Sequence, residues 1–318
     1  MKKELLLWVA LVCLVGAGVY LLPPIAERQR QGRASKASTQ AASQPADNAP
    51  RPQSFHGSFP WLAKVDGKNY LANRIAAPDG LERTQEPPDS FAQWLRHLPL
   101  KPPGSPVLLY NGRRKANQDA HAAVVDIDVG KRDLQQCADA VIRLRAEWLF
   151  SRADHAAIRF RFTSGDIAEY PRWIEGCRPR WDVPPTVRGG TVRWSKTAPA
   201  DTSRDGFRRF LDTVFQYAGT ASLAKDLTPV PDVRDMRIGD VFIQPGSPGH
   251  AVIVADLAGD ARTGRKVFLL VQGFMPAQDI HVLKNPGSAA MSPWYDLDFG
   301  PALKTPEWTF TKGDLRRF

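Results

Sequence analysis

Residues 237–256, Arg-Ile-Gly-Asp-Val-Phe-Ile-Gln-Pro-Gly-Ser-Pro-Gly-His-Ala-Val-Ile-Val-Ala-Asp, restrict the possible fold more than any other stretch. Two apolar runs, 241–243 and 251–255, flank a Gln-Pro-Gly-Ser-Pro-Gly connection, the pattern of two buried strands joined by a tight turn. His250 opens the second strand directly after a glycine, where the backbone can bend sharply. A sheet holds the backbone of such a histidine while its ring faces the mouth of a loop. That is a suitable mount for a general base.

The other periodic segments surround this pair. Apolar residues at 91, 94, 95 and 98 predict a helix over 90–98, with Asp89 or Ser90 as its cap. Residues 133–150 give the clearest helix, with Leu134, Cys137, Val141, Leu144 and Trp148 on one stripe and Cys137 in the second turn. A further amphipathic helix is expected at 207–217, with 222–227 as an extension. Strands are expected at 107–110, 121–129, 158–162, 266–272, 280–283 and 308–310, while the Trp-, Pro- and Arg-rich stretch 165–200 shows no period. Helices first and an antiparallel sheet late make the class α+β. The expected sheet has 241–243, 251–255 and 266–272 as neighbours, with helix 133–150 packed across the face that bears His250.

At the N-terminus, two lysines precede an apolar run over residues 5–22, the pattern of a signal segment or an uncleaved anchor. The bulky Tyr20-Leu21-Leu22-Pro23-Pro24 offers no small-residue cleavage site, which favours an anchor. Residues 30–54 are rich in Ala, Ser, Gln and Pro and read as a solvated linker. The expected organisation is an anchor or signal segment at 1–29, a disordered linker at 30–54 and one globular domain at 55–318. It implies an envelope protein held at the inner membrane, its globular part facing the periplasm or exterior.

The formal charge of +10 comes from scattered Lys and Arg rather than a basic helix or stripe, so nucleic acid is not an expected partner. Anionic membrane or polyanionic wall material accounts for the charge equally well. The chain has no glycine-rich phosphate loop and no zinc-ligand spacing, so no cofactor or metal is expected. Asp126 and Asp128 alternate with apolar residues on one strand face, which suits either a solvated face or a cation pair.

Gly239-Asp240-Val241-Phe242-Ile243 followed by Gly249-His250-Ala251-Val252-Ile253-Val254 resembles the paired-strand signature of the NlpC-type papain-like cell-wall hydrolases. The resemblance implies a papain-like fold in which a helix carrying the nucleophile packs on the sheet. It implies Cys137 as nucleophile, His250 as base and Gln272 as the residue that orients the ring. Stretch 165–200 and the second helix would be insertions. The implied activity is cleavage of amide bonds in peptidoglycan stem peptides. A non-catalytic envelope-binding module of the same fold, and a thiol acyltransferase or lipid amidase, remain alternatives. A much larger part of the chain, from about residue 70 to 318, resembles a bacterial family known as domain of unknown function 4846. Leu98-Pro99-Leu100-Lys101, Asn117-Gln118-Asp119, Gln136-Cys137-Ala138-Asp139, Met275-Pro276-Ala277-Gln278 and Thr305-Pro306-Glu307-Trp308 are among the residues that carry this second resemblance.

A thiol is a weak nucleophile at neutral pH unless a base or cation stabilises the thiolate. An imidazole whose tautomer is fixed by an amide oxygen provides such a base. The reading therefore requires the Cys137 sulfur within hydrogen-bonding reach of His250, and Gln272 on the ring's other nitrogen. His121 and His281 also begin strands and are alternative bases. Other readings of Cys137 are a small core residue on an apolar stripe and a disulfide with Cys177.

Overall fold

The computed structural model describes residues 57–181 and 191–318. The expected anchor and linker, and the first two residues of the region 55–318, lie outside the described residues. Among the described residues no helix is long and apolar enough to cross a membrane.

The Gly-Asp and Gly-His strands lie at the centre of a nine-stranded antiparallel sheet. From one edge its order is His121–Val124, His281–Leu283, Lys266–Gln272, His250–Gly259, Val241–Gln244, Leu315–Arg317 and Thr228–Pro229. Glu82–Arg83 pairs with the far end of His250–Gly259, and Tyr295–Asp296 with the start of Lys266–Gln272. The three strands expected as neighbours are neighbours, and their residues are almost wholly buried. Both faces of these strands are therefore covered, which explains continuous apolar runs in place of an apolar–polar alternation.

Gly239 adopts φ +96° in the Gly-Asp turn, a conformation that suits glycine and rarely other residues. Its amide donates to Val254 O (2.8 Å), closing the turn onto the next strand. Asp240 is buried; it accepts from the Arg237 amide and from the Arg317 guanidinium, at 2.7 Å to each carboxylate oxygen in the latter case. That ion pair ties the C-terminal strand Leu315–Arg317, which had no sequence signal, to the centre of the sheet.

The register fixes which side chains share a face. Gln244 lies opposite His250, Phe242 opposite Val252, and Leu270 opposite Val254. Strand alternation therefore places His250, Val252, Val254, Phe242, Leu270 and Gln272 on one side, and Ala251, Ile253, Val271 and Gly273 on the other. The register shifts at Ala255, so Asp256 faces the second side; there it binds Arg83 Nε and Arg96 Nε, each at 2.6 Å.

Helices cover the second side. Phe91–Arg96 begins at Ser90, whose hydroxyl accepts from the Gln93 amide (3.2 Å), as the sequence predicts. The cysteine helix is Cys137–Ser151, which starts four residues later than expected. Residues 133–136 form an irregular turn instead, and the Gln136 amide donates to Asp139 Oδ2 (3.0 Å) at the new start. A Cβ on Gly273 would lie 2.9 Å from Ala140 Cβ and 2.9 Å from Gln136 O, so the glycine lets the helix approach. Ala251 and Gly273 are the small residues on this side. The helix therefore lies on the sheet face opposite His250, not on the face that bears it.

The chain after the sheet covers the first side. Phe242 meets Phe268 (6.1 Å between centroids) and Phe310 (5.9 Å), and Phe268 meets Tyr295 (5.6 Å). Leu303–Lys304 pairs with Thr309–Phe310, the last of the expected strands. The unperiodic stretch comprises the helix Tyr170–Ile174 and the hairpin Cys177–Trp181 with Val192–Lys196. Trp181 anchors it on Tyr217, at 4.2 Å, and on Phe162, at 5.7 Å. Residues 107–110 form isolated bridges rather than a strand.

Candidate functional site

Cys137 is the first residue of its helix, closer to the positive end of the helix dipole than the sequence predicts. Its sulfur is nearly buried and rests against the backbone N–H groups of Ala138 and Ala251; its hydrogen bond, a long one, goes to Gly249 O at 3.9 Å. Burial, reinforced by the negative charge of Asp139, pushes the thiol up to about 11, and the backbone N–H groups only partly offset this. Cys137 and Cys177 are both free thiols, which removes the disulfide reading.

On the other side of the sheet, His250 is fully buried beneath Phe274, Trp308 and Phe310, with ring centroids 5.0, 5.2 and 5.9 Å away. Its Nε2 lies 2.8 Å from Gln272 Oε1. The amide oxygen can only accept, so His250 carries its proton on Nε2 and Nδ1 is a bare acceptor. No hydrogen-bond partner meets that Nδ1. Gln272 Nε2 donates to Glu307 Oε2 (3.0 Å) and to His281 Nε2 (3.2 Å), while Lys115 Nζ holds Glu307 Oε1 at 2.7 Å. His281 Nδ1–H donates to Asp279 O (2.9 Å). Each of these bonds is consistent with neutral rings, His250 protonated on Nε2 and His281 on Nδ1. Burial lowers the His250 pKa to about 4, against smaller upward pulls from Gln272 and Glu307; burial likewise lowers His281 to about 3.

The structure thus joins two of the three expected residues. His250 and Gln272 are bonded as the sequence reading requires, but Cys137 bonds to neither, and the sheet runs between the thiol and the ring. The alternative bases do not replace His250. His281 lies opposite Gln272 on the His250 side, and the His121 ring stacks edge-on to it at 6.2 Å. The cation pair also falls away, since Asp128 holds Arg143 and Arg208 at 3.0 and 2.9 Å.

Sequence reasoning missed Glu307 and Lys115, which complete the histidine cluster, and Asp139, which lies beside the thiol. Glu307 is within one of the segments that carry the family resemblance. Asp139 follows Gln136 by three residues, a spacing readable as a helix-start contact.

The thiol borders a groove of about 540 Å³ whose walls include Cys137, Asp139, Phe215, Thr220, Pro248 and Met275. At pH 7 Cys137 should be alkylated by iodoacetamide at least tenfold more slowly in the native protein than in urea, with the native rate rising toward pH 11. Peptide mass mapping checks this; equal rates at pH 7 would contradict the buried, unactivated thiol.

No curated protein and no solved structure matches the chain. The model of one family, described as domain of unknown function (4846), matches residues 71–317, which include Cys137, His250, Gln272 and Glu307, and the chain belongs to that family.

Proposed function

We propose that this protein is a non-catalytic binding module of the cell envelope, taking wall-peptide material in the groove beside Cys137. The observation that carries the reading is the separation of Cys137 from His250 by the sheet. A thiol pushed up to about 11, with no imidazole beside it, stays protonated at neutral pH and lacks the base that acyl transfer needs. The same lack weighs against a thiol acyltransferase or lipid amidase. The likeness to the papain-like hydrolases is then one of plan: a helix opening at a cysteine on an antiparallel sheet with Gly-His and Gln on consecutive strands. In this reading the polar cluster around His250 serves the fold, because aromatic rings cover it and the groove walls do not include it.

An envelope location is supported by the apolar run 5–22 and the linker composition after it, and the +10 charge suits anionic wall polymers. Co-sedimentation with purified peptidoglycan sacculi tests the reading. Wild type and Cys137→Ser should pellet to the same extent, and protein from the membrane fraction should keep its N-terminal peptide. Failure of the wild type to pellet would overturn the binding role, and a mature N-terminus beyond residue 20 would overturn the anchor.

A further inference from the structure

The hairpin Cys177–Trp181 with Val192–Lys196 stands apart from the main sheet and takes no part in the groove beside Cys137. Its two five-residue strands carry Arg178, Arg180, Arg193 and Lys196 and no carboxylate. The register sets Arg180 directly opposite Arg193 and Arg178 opposite Ser195, with Pro179 opposite Trp194 and Trp181 opposite Val192. Directly opposite residues share one face of a ribbon. Trp181, Val192 and Trp194 pack against the core, so their face turns inward and the arginine face turns outward. Arg180, Arg193 and Ser195 are exposed, and Arg178 is half-buried. Arg178 Nη1 donates to Trp173 O (2.9 Å) and Cys177 O (2.8 Å), and its guanidinium lies 3.9 Å from the centre of the Trp173 ring. Burial, and after it the charge of Arg209 on the neighbouring helix, lowers the Arg178 pKa against a smaller pull from Asp201. That Asp201 is itself held by Arg209 at 2.5 Å. Like charges directly opposite weaken a strand pair, and an exposed edge is protected by charge of either sign. A face that keeps its guanidinium groups together, with no carboxylate on either strand, points to an anionic partner.

We infer that the outward face of this hairpin, with Arg178, Arg180 and Arg193, docks the globular region on the anionic phospholipid headgroups of the membrane that holds the chain. This rests on the membrane anchor proposed above and is independent of what the groove binds. A guanidinium pairs with two phosphate oxygens at once, and one face of a ribbon presents its three to headgroups lying in one plane. Each basic residue near an anionic bilayer strengthens binding by about fivefold, so three are worth about a hundredfold. That is little for a protein free in solution and enough for one already held at the surface. The apolar run 5–22 is joined to the described region by residues 23–56. A flexible linker of that length spans about 30 Å on average. It would keep the hairpin within reach of the bilayer at an effective concentration on the order of millimolar. The tether thus brings a lipid surface to the arginine face without any affinity for a polymer, which favours lipid over a polyanionic chain.

Hydrogen–deuterium exchange of the full chain in lipid nanodiscs tests the inference, comparing phosphatidylcholine discs with discs that also contain phosphatidylglycerol. Peptides covering 177–181 and 192–196 are expected to exchange about threefold more slowly in the anionic discs, and high salt should abolish the difference. Arg180→Glu sets a carboxylate opposite Arg193, so it should keep or raise the thermal stability while losing the protection. Ser195→Glu adds a negative charge to the same face and should also reduce the protection. Equal exchange in the two kinds of disc, or full protection in Arg180→Glu, would overturn the lipid contact. Protection by added polyglutamate in phosphatidylcholine discs, with none from phosphatidylglycerol, would overturn it in favour of a polyanionic polymer. If the protein enters the discs and anionic lipid gives no protection, the inference fails and the anchor stands. If it enters neither kind of disc, both fall.

Discussion

When the protein is taken from pH 7 to pH 4, His250 and His281 are expected to remove about 6 kcal/mol of folding stability, roughly 3 each, and the buried Asp139 carboxyl, whose pKa the fold raises, to return part of it. In the unfolded chain both rings take up a proton near pH 6.5; in the folded protein burial keeps them neutral down to about pH 4 and about pH 3. Between those limits the unfolded state binds more protons, so stability falls as the pH falls. The loss begins below pH 6.5 and is most of the way to completion at pH 4. Since a domain's whole stability is about 5–15 kcal/mol, the histidine contribution alone is a large fraction of it. Urea titrations followed by tryptophan fluorescence at pH 7, 5.5 and 4 measure the effect. A midpoint that does not move over this range would contradict the neutral buried pair.

The second large effect lies on the cysteine helix. Arg143 and Glu147 are both fully buried, with Arg143 Nε 2.6 Å from Glu147 Oε1. Gln135 Oε1 and Asp128 Oδ1 accept from the same guanidinium at 2.9 and 3.0 Å, and Arg204 reaches Glu147 from the neighbouring helix Arg204–Tyr217. Replacing Glu147 with Ala leaves the buried Arg143 charge with only the half-exposed Asp128 as counter-ion and should cost about 3–5 kcal/mol. Asp128→Ala removes a carboxylate 58 % exposed and should cost about 1 kcal/mol or less. Chemical denaturation of both variants measures the ratio. Equal costs would show that the buried pair does not hold the helix in place.

The centre of the fold was legible because its signals are local. Runs 241–243 and 251–255 with a Pro-Gly connection define a hairpin without knowledge of the rest. Ser90 before an apolar period of three and four defines the start of a helix. What lay hidden depends on distant partners. Leu315–Arg317 reads Leu-Arg-Arg, with no strand period, and becomes a strand because Leu315 and Arg316 add to Phe242 and Val241 while Arg317 neutralises Asp240. The hairpin in stretch 165–200 is held by Trp181 on aromatic residues from other elements.

The candidate site divides in the same way. Gln272 beside His250 was readable, because two consecutive antiparallel strands place such residues side by side. The face that the cysteine helix would choose was not readable from periodicity. Helix 137–151 needs a surface of small residues, and Ala251 and Gly273 provide it on the side away from His250. Order along the chain, Cys then His then Gln, is the same for either face, so the order of residues could not tell a triad from a thiol and a histidine back to back.

The most direct test of that separation is digestion of purified peptidoglycan by wild type and Cys137→Ser, followed by chromatography of the soluble products. The account predicts the same profile for both proteins and for a no-enzyme control. Product peaks made by the wild type and absent from Cys137→Ser would contradict it, and would require the thiol to meet a base that its side of the sheet lacks.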